Sequence, residues 1–292
     1  MPSLLTLANS WLAEGRCFVR WAPQTQALLH RVKDRLGVEL RPHLSSSCAH
    51  LKGRGGAKGA IRRANRANGQ FPFVARFDIR SYYESIDHTI LLDQLQTAKV
   101  GPSLQAIVRD YLSLPDTHRS GRGMVAGGAI SPLLAALYLT PLDRLMGHYR
   151  ERYGIYYERF IDDFVIFAPI RHKLRAVLRG MYRVLDALKL TLHPDKRYIG
   201  RTSGGFDFLG YRLHPGRKLR PSKLCLDRLL QRARRLYEQG ADRDRLRQYV
   251  QRWYAWLHGG LRGWVSTYGR FTRIWIAVLT HIKHTGGWIA PT

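Results

Sequence analysis

The sequence predicts an α+β fold in which short antiparallel strands carry carboxylates at their ends and a basic, helical segment follows. Three observations predict it. In Tyr156-Tyr157-Glu158-Arg159-Phe160-Ile161-Asp162-Asp163-Phe164-Val165-Ile166-Phe167, two adjacent carboxylates interrupt a run of aromatic and β-branched residues. Both flanks have strand composition, so the acids sit at a tight reversal. In Phe73-Val74-Ala75-Arg76-Phe77-Asp78-Ile79 a second short apolar strand ends in Asp78. Beyond Pro215 the composition turns to Arg-rich helical patterns.

The 292 residues hold 48 Lys and Arg against 21 Asp and Glu, a net charge of +27. That exceeds what solubility requires, and nucleic acid is the commonest reason for such an excess. The bases are mostly Arg, interleaved with Tyr and Trp, a mixture that favours phosphate pairing and stacking over a merely solvated basic face. Cys17, Cys48 and Cys225 are odd in number and lack metal-ligand spacing, which argues against a disulfide framework or a zinc site. Met1 to Glu14 has no basic segment ahead of its apolar stretch, and Ile274 to Ile282 is too short to span a bilayer. A cytoplasmic protein with no membrane partner is expected.

Taken in order, Gln24 to Leu36 reads as a helix with Leu28, Leu29, Val32 and Leu36 as its apolar stripe and Gly37 placed to end it. Ser45 to Ala60 is a basic, glycine-rich loop leading into a helix at Ile61. Backbone N–H groups near Gly53 to Gly56 would approach a phosphate backbone closely, with Lys52, Arg54 and Lys58 neutralising it. An ordinary surface loop is the equal alternative. Asp87-His88 opens a helix with Asp as cap, and Ser131-Pro132 opens another after the Gly127-Gly128 loop. Leu174, Val177, Leu178, Met181, Leu185 and Leu188 recur at helical spacing and read as core. Three helices follow, Leu224 to Tyr237, Arg243 to Leu257 and Trp264 to Leu279. Arg228, Arg232 and Arg235 can track a phosphate backbone from one helix face, while Trp253, Trp256 and Trp264 pack the helices together.

Two neighbouring carboxylates on a rigid turn repel one another and are best stabilised by a divalent cation of hard oxygen preference, Mg²⁺ or Mn²⁺. A two-metal site needs a further carboxylate from another strand, and Asp78 is available. Each acid site alone is weak evidence, because turn and buried aspartates are mostly structural.

Asp78-Ile79-Arg80-Ser81-Tyr82-Tyr83-Glu84-Ser85-Ile86-Asp87-His88 resembles the first catalytic motif of bacterial reverse transcriptases, and Phe160-Ile161-Asp162-Asp163 resembles their two-aspartate motif. Between them, Gly123 to Leu139 is similar to the glycine-rich loop and helix of group II intron-type enzymes. Leu188 to Lys196 and Phe206 to Tyr211 resemble the next two motifs. Five motifs in family order cover residues 45 to 215.

The resemblance implies a right-hand polymerase, with reduced fingers (1–72), an antiparallel-sheet palm (73–215) and a helical thumb (216–292). It implies two Mg²⁺ ions at Asp78, Asp162, Asp163 and the backbone of Ile79, and Lys196 near the phosphates as proton donor to pyrophosphate. Tyr83 falls where the family packs a residue under the sugar to exclude a 2′-hydroxyl, and Ala126 and Gly127 fall beside the incoming nucleotide. Ser131 lies at the template pair, and Gly210 and Tyr211 lie in the hairpin that grips the primer end. The implied partners are dNTPs, an RNA template, DNA or RNA/DNA duplex, and a dedicated non-coding RNA and protein partner of a defence or retroelement system. Two departures stand out. Little sequence precedes the basic loop, so the triphosphate-clamping segment is expected to be shortened, with Arg16 and Arg20 the nearest substitutes. Val125-Ala126 stands where relatives carry Pro-Gln, which puts ordinary template handling in doubt. The rival readings are template-poor or protein-directed synthesis of repetitive DNA, and a non-enzymatic RNA-binding scaffold. The latter has no chemical need for three aspartates.

Overall fold

The structure, a computed structural model, describes residues 5, 7–13, 16–114, 121–125, 127–266 and 271–285. The chain divides into two units, one of residues 1–60 and 73–199, the other of residues 61–72 and 200–292.

The first unit opens with an antiparallel hairpin, β1 (Leu7–Ala13) and β2 (Arg16–Trp21). Helix α1 (Pro23–Leu40) follows. It runs through Gly37, contrary to the expected stop, because Leu40 continues the buried stripe of Leu29, Val32 and Leu36 by one further turn. The basic loop leads to α2 (Gly56–Asn68), which begins five residues earlier than the sequence suggests and crosses from the first unit into the second. Strand β3 (Phe73–Asp78) has the expected bounds. A single helical turn, α3 (Tyr82–Ser85), precedes α4 (His88–Thr97). The Asp87 carboxylate caps α4 by accepting from the Ile90 N–H at 3.2 Å. Then come α5 (Pro102–Leu112), α6 (Ser131–Tyr138) with proline in its first turn, and α7 (Thr140–Tyr153).

Strands β4 (Tyr156–Phe160) and β5 (Asp163–Ala168) form the acid-tipped hairpin, and α8 (Arg171–Ala187) returns over β3 and β5. With β6 (Tyr198–Arg201), where the first unit ends, they make a sheet of order β4-β5-β3-β6, in which β5 pairs antiparallel with both β4 and β3. All six residues of β5 are buried. A strand covered on both faces needs the continuous apolar run that Phe164 to Phe167 supplies. Leu174, Val177, Leu178, Met181, Leu185 and Leu188 are core, as their spacing predicts.

The second unit holds a three-stranded sheet, β7 (Phe206–Phe208), β8 (Tyr211–Leu213) and β9 (Arg220–Pro221). Helices α9 (Lys223–Glu238), α10 (Arg243–His258) and α11 (Phe271–Thr285) pack around Leu229, Ala233, Leu246, Val250 and Val278. Helix α11 begins at Phe271 rather than Trp264. Trp264 lies instead in a turn whose carbonyl accepts from the Leu219 N–H at 2.9 Å, so that backbone pairing takes it out of the helix.

Candidate active site

Asp78 ends β3 and Asp163 begins β5, and the antiparallel register sets them directly opposite each other. Side chains alternate along a strand, so Arg76 shares the face of Asp78. From there its guanidinium makes two hydrogen bonds to the Asp163 carboxylate, Nε to Oδ1 at 3.0 Å and Nη2 to Oδ2 at 2.7 Å. Nη1 donates to the Lys196 carbonyl at 3.1 Å. The Lys196 ammonium in turn lies 3.2 Å from Asp78 Oδ1. The structure thus brings Lys196, which the resemblance sets near the phosphates, beside Asp78. Arg76 was missed, although its position two residues before Asp78 is the signal that would have found it.

Asp162 occupies the turn between β4 and β5, where its carbonyl accepts from the Ile79 N–H at 3.2 Å. Burial, then the charges of Asp78 and Asp163, push its carboxyl up from 3.8 to about 6. Burial also raises Asp163, against the pull of Arg76. The residue before Asp162, Ile161, has φ of 59°, a left-handed conformation that costs a β-branched residue of order 1–3 kcal/mol. Its carbonyl accepts from Arg159 Nη1 at 2.9 Å and its N–H donates to His50 Nδ1 at 3.1 Å. Arg159 is wholly buried and paired with Asp143 of α7 at 2.5 Å. Such a pair offsets its desolvation only with good geometry, and here Tyr157 Oη also donates to Asp143.

The donor set is all oxygen and crowded with negative charge, which suits a hard divalent cation. Among the described residues no group of three His, Cys, Asp or Glu side chains stands in ligand geometry. Arg76 and Lys196 meanwhile supply the neutralising charge.

Tyr83 is half-buried beside Tyr82, and burial followed by the charge of Asp162 pushes its hydroxyl up to about 12. Gly127 is exposed with φ of 79°, and Ala126 and the side chain of Arg16 lie outside the described residues. Arg20 is exposed at the end of β2. Ser131 is fully buried, and its hydroxyl closes the preceding loop by bonding the Val125 carbonyl at 2.6 Å and Tyr111 Oη at 2.7 Å. A Cβ on Gly128 would fall 1.6 Å from that tyrosine oxygen, so the loop has room only for glycine there. Of the basic loop, Lys52 is exposed, Lys58 is half-buried in α2, and Arg54 donates to the Leu44 carbonyl at 3.1 Å.

In the second unit, Arg228, Arg232 and Arg235 are exposed on one side of α9, flanking the stripe of buried Leu229 and Ala233, and Arg232 also hydrogen-bonds Tyr249 of α10. Gly210 lies in the β7–β8 turn and Tyr211 opens β8, but the buried Tyr211 hydroxyl donates to the Leu257 carbonyl at 2.7 Å and its ring packs on Trp256. Trp264 is overlain by Arg66 at 5.6 Å and lines a basic cleft of about 510 Å³ with Arg217, Lys218 and Arg262. Sequence reasoning passed over this cleft, because its cations come from separated stretches of chain.

Three comparisons bear on these observations. The chain is 26% identical over 186 residues to Protein YkfC of Escherichia coli (strain K12), covering 48% of this chain and 46% of that protein. It thus spans about half the length of the curated relative it matches. Telomerase from Candida tropicalis superposes with a TM-score of 0.55 at 10% identity, over 95% of this chain and 64% of that one. Telomerase from Candida albicans, solved with a fragment of telomeric RNA, gives 0.51 at 11% identity, over 91% and 54%. At such identities the superpositions show the fold alone, the right-hand polymerase fold that the sequence predicts. Residues 27–213, a segment that runs from α1 to β8 and encloses all three aspartates, match the reverse transcriptase (RNA-dependent DNA polymerase) family, and the chain belongs to it.

Proposed function

We propose that this protein is an RNA-directed DNA polymerase that adds dNTPs to a primer 3′ end. The observation that carries the reading is the register pairing of Asp78 with Asp163, with Asp162 at the adjoining turn, in a chain of this family. Asp78, Asp162, Asp163 and the Ile79 carbonyl would hold two Mg²⁺ ions, with Mn²⁺ as the alternative. Bound there, the ions would lower the pKa of the 3′-hydroxyl and stabilise charge on the leaving pyrophosphate. Lys196, held beside Asp78, donates a proton to that leaving group. Tyr83 packs under the sugar, and Ala126 and Gly127 line the nucleotide. Lys52, Arg54, Lys58, Arg228, Arg232 and Arg235 carry the nucleic-acid backbone and Gly210 lies at the primer end, while buried Ser131 and Tyr211 serve the template and primer sides only by holding the backbone there in place.

Residues 1–72, 73–215 and 216–292 are assigned as fingers, palm and thumb. The cytoplasm is the proposed location. Among the described residues no helix is long and apolar enough to cross a membrane. Service in a bacterial defence or retroelement system, with a dedicated non-coding RNA and a partner protein, follows from the resemblance alone.

The test is incorporation of labelled dTTP on poly(rA)·oligo(dT) with Mg²⁺, run beside Asp162→Ala and Asp78→Ala. Extension by the wild type and its loss in both variants is expected. Asp162→Ala working at near wild-type rate would overturn the assignment. A second reading, template-poor synthesis of repetitive DNA, draws on fully buried Val125, which offers no polar side chain to a nascent base pair. Sequencing the products separates the two.

A further inference from the structure

We propose that His50 is a positioning residue for the catalytic turn, and that it ties the basic loop, the start of α6 and the Asp162 turn into one unit. The proposal rests on the reading of Asp162 as a catalytic carboxylate. Imidazole Nδ1 accepts from the Ile161 N–H at 3.1 Å, with the Cys48 thiol 3.3 Å from the same nitrogen, and Nε2 lies 3.0 Å from the Pro132 carbonyl. A carbonyl only accepts, so Nε2 carries the proton and Nδ1 presents its lone pair to Ile161. One neutral tautomer therefore satisfies both contacts.

Ile161 is where such support is needed. Its φ of 59° is unfavourable for a β-branched residue, and conformations of this kind persist only where their surroundings over-determine them. Both of its peptide groups are gripped, the N–H by His50 and the carbonyl by Arg159. The loop that carries His50 is itself docked on β4, because the Ala49 N–H donates to the Arg159 carbonyl at 2.8 Å and the Arg159 N–H to the Ser47 carbonyl at 2.9 Å. Any displacement of the loop, or of Pro132 in the first turn of α6, is thus transmitted to the residue that aims Asp162.

The two ring nitrogens can be separated by substitution. In His50→Asn the amide oxygen falls near the place of Nδ1 and can accept from Ile161. In His50→Gln the amide reaches the place of Nε2 and serves Pro132 alone. His50→Gln should lower kcat about tenfold or more, the effect of ~1.4 kcal/mol at the transition state, while primer–template Kd and dNTP KM stay unchanged. His50→Asn should restore most of kcat. Amide exchange followed by NMR should show the Ile161 N–H losing protection in His50→Gln and keeping it in His50→Asn, with Phe164 to Phe167 unchanged in both. Equal kcat in the two variants, or an unaltered Ile161 amide in His50→Gln, overturns the proposal. Should the wild type incorporate no nucleotide, the polymerase reading fails, and the Ile161 amide still decides whether His50 holds the turn.

Discussion

Arg76 grips both oxygens of Asp163 from the neighbouring strand, two residues ahead of Asp78 on its own strand. One cation thereby holds one acid of the pair, and through the Lys196 carbonyl it also sets the backbone of the lysine that reaches Asp78. The site is pre-charged by protein cations rather than left as three bare carboxylates.

Removing that cation should be costly. Arg76→Met leaves Asp163 buried and unpaired, a change that typically costs about 3–5 kcal/mol. Asp163 is already raised by burial, and without Arg76 it rises further. A group raised in the folded state stabilises less as pH climbs through its folded pKa. The loss measured by urea denaturation should therefore be larger at pH 8 than at pH 5. An equal loss at both pH values would show that packing, not charge, is what Arg76 supplies.

Asp162 offers the opposite result. Its carboxyl titrates near 6 when folded against 3.8 ordinarily, so between those values the folded state holds the proton that the unfolded state has lost. Stability falls as pH rises across that window. Asp162→Asn, with metal chelated, should raise stability at pH 7.5 by about 2–3 kcal/mol and by little below pH 4. The same variant should abolish nucleotide incorporation. Thermal unfolding across pH and a primer-extension assay read the two halves.

The exposed arginines of α9 predict a steep salt dependence. Affinity for RNA or hybrid duplex should fall linearly on logarithmic axes, with several counterions released. Each of Arg228→Ala, Arg232→Ala and Arg235→Ala should reduce the slope by about 1. A wild-type affinity that is flat between low and physiological salt would remove this face from the interface.

Tyr83 is the specificity prediction. Tyr83→Ala should open space for a 2′-hydroxyl and collapse the preference for a dNTP over the matching rNTP by tenfold or more, about 1.4 kcal/mol or above. The ratio of kcat/KM for the two nucleotides, wild type against variant, is the measurement. An unchanged ratio in an active variant makes Tyr83 a packing residue.

Much of the site was legible because strand chemistry is local. An apolar run closed by an acid reads as a strand end, so β3, the β4–β5 hairpin and all three aspartates follow from pattern and resemblance. The α8 stripe and the Asp87 cap follow for the same reason, since helical spacing and cap chemistry depend on near neighbours. Boundaries yielded where distant contacts outweighed local preference, as at Gly37, which the helix overruns to bury Leu40, and at Trp264, which the backbone pairing with Leu219 draws out of its expected helix.

What the sequence determined by itself was the chemistry available: the carboxylates, the cations and the order in which the chain presents them. Which cation meets which acid was decided by the tertiary structure alone. Arg76 reaches Asp163 through a strand register 87 residues away, Arg159 pairs with Asp143, and His50 reaches Ile161 across 111 residues. Hydrogen bonds act over a few ångströms, and only the packed sheet, its register and the docked loop bring such separated groups within that range.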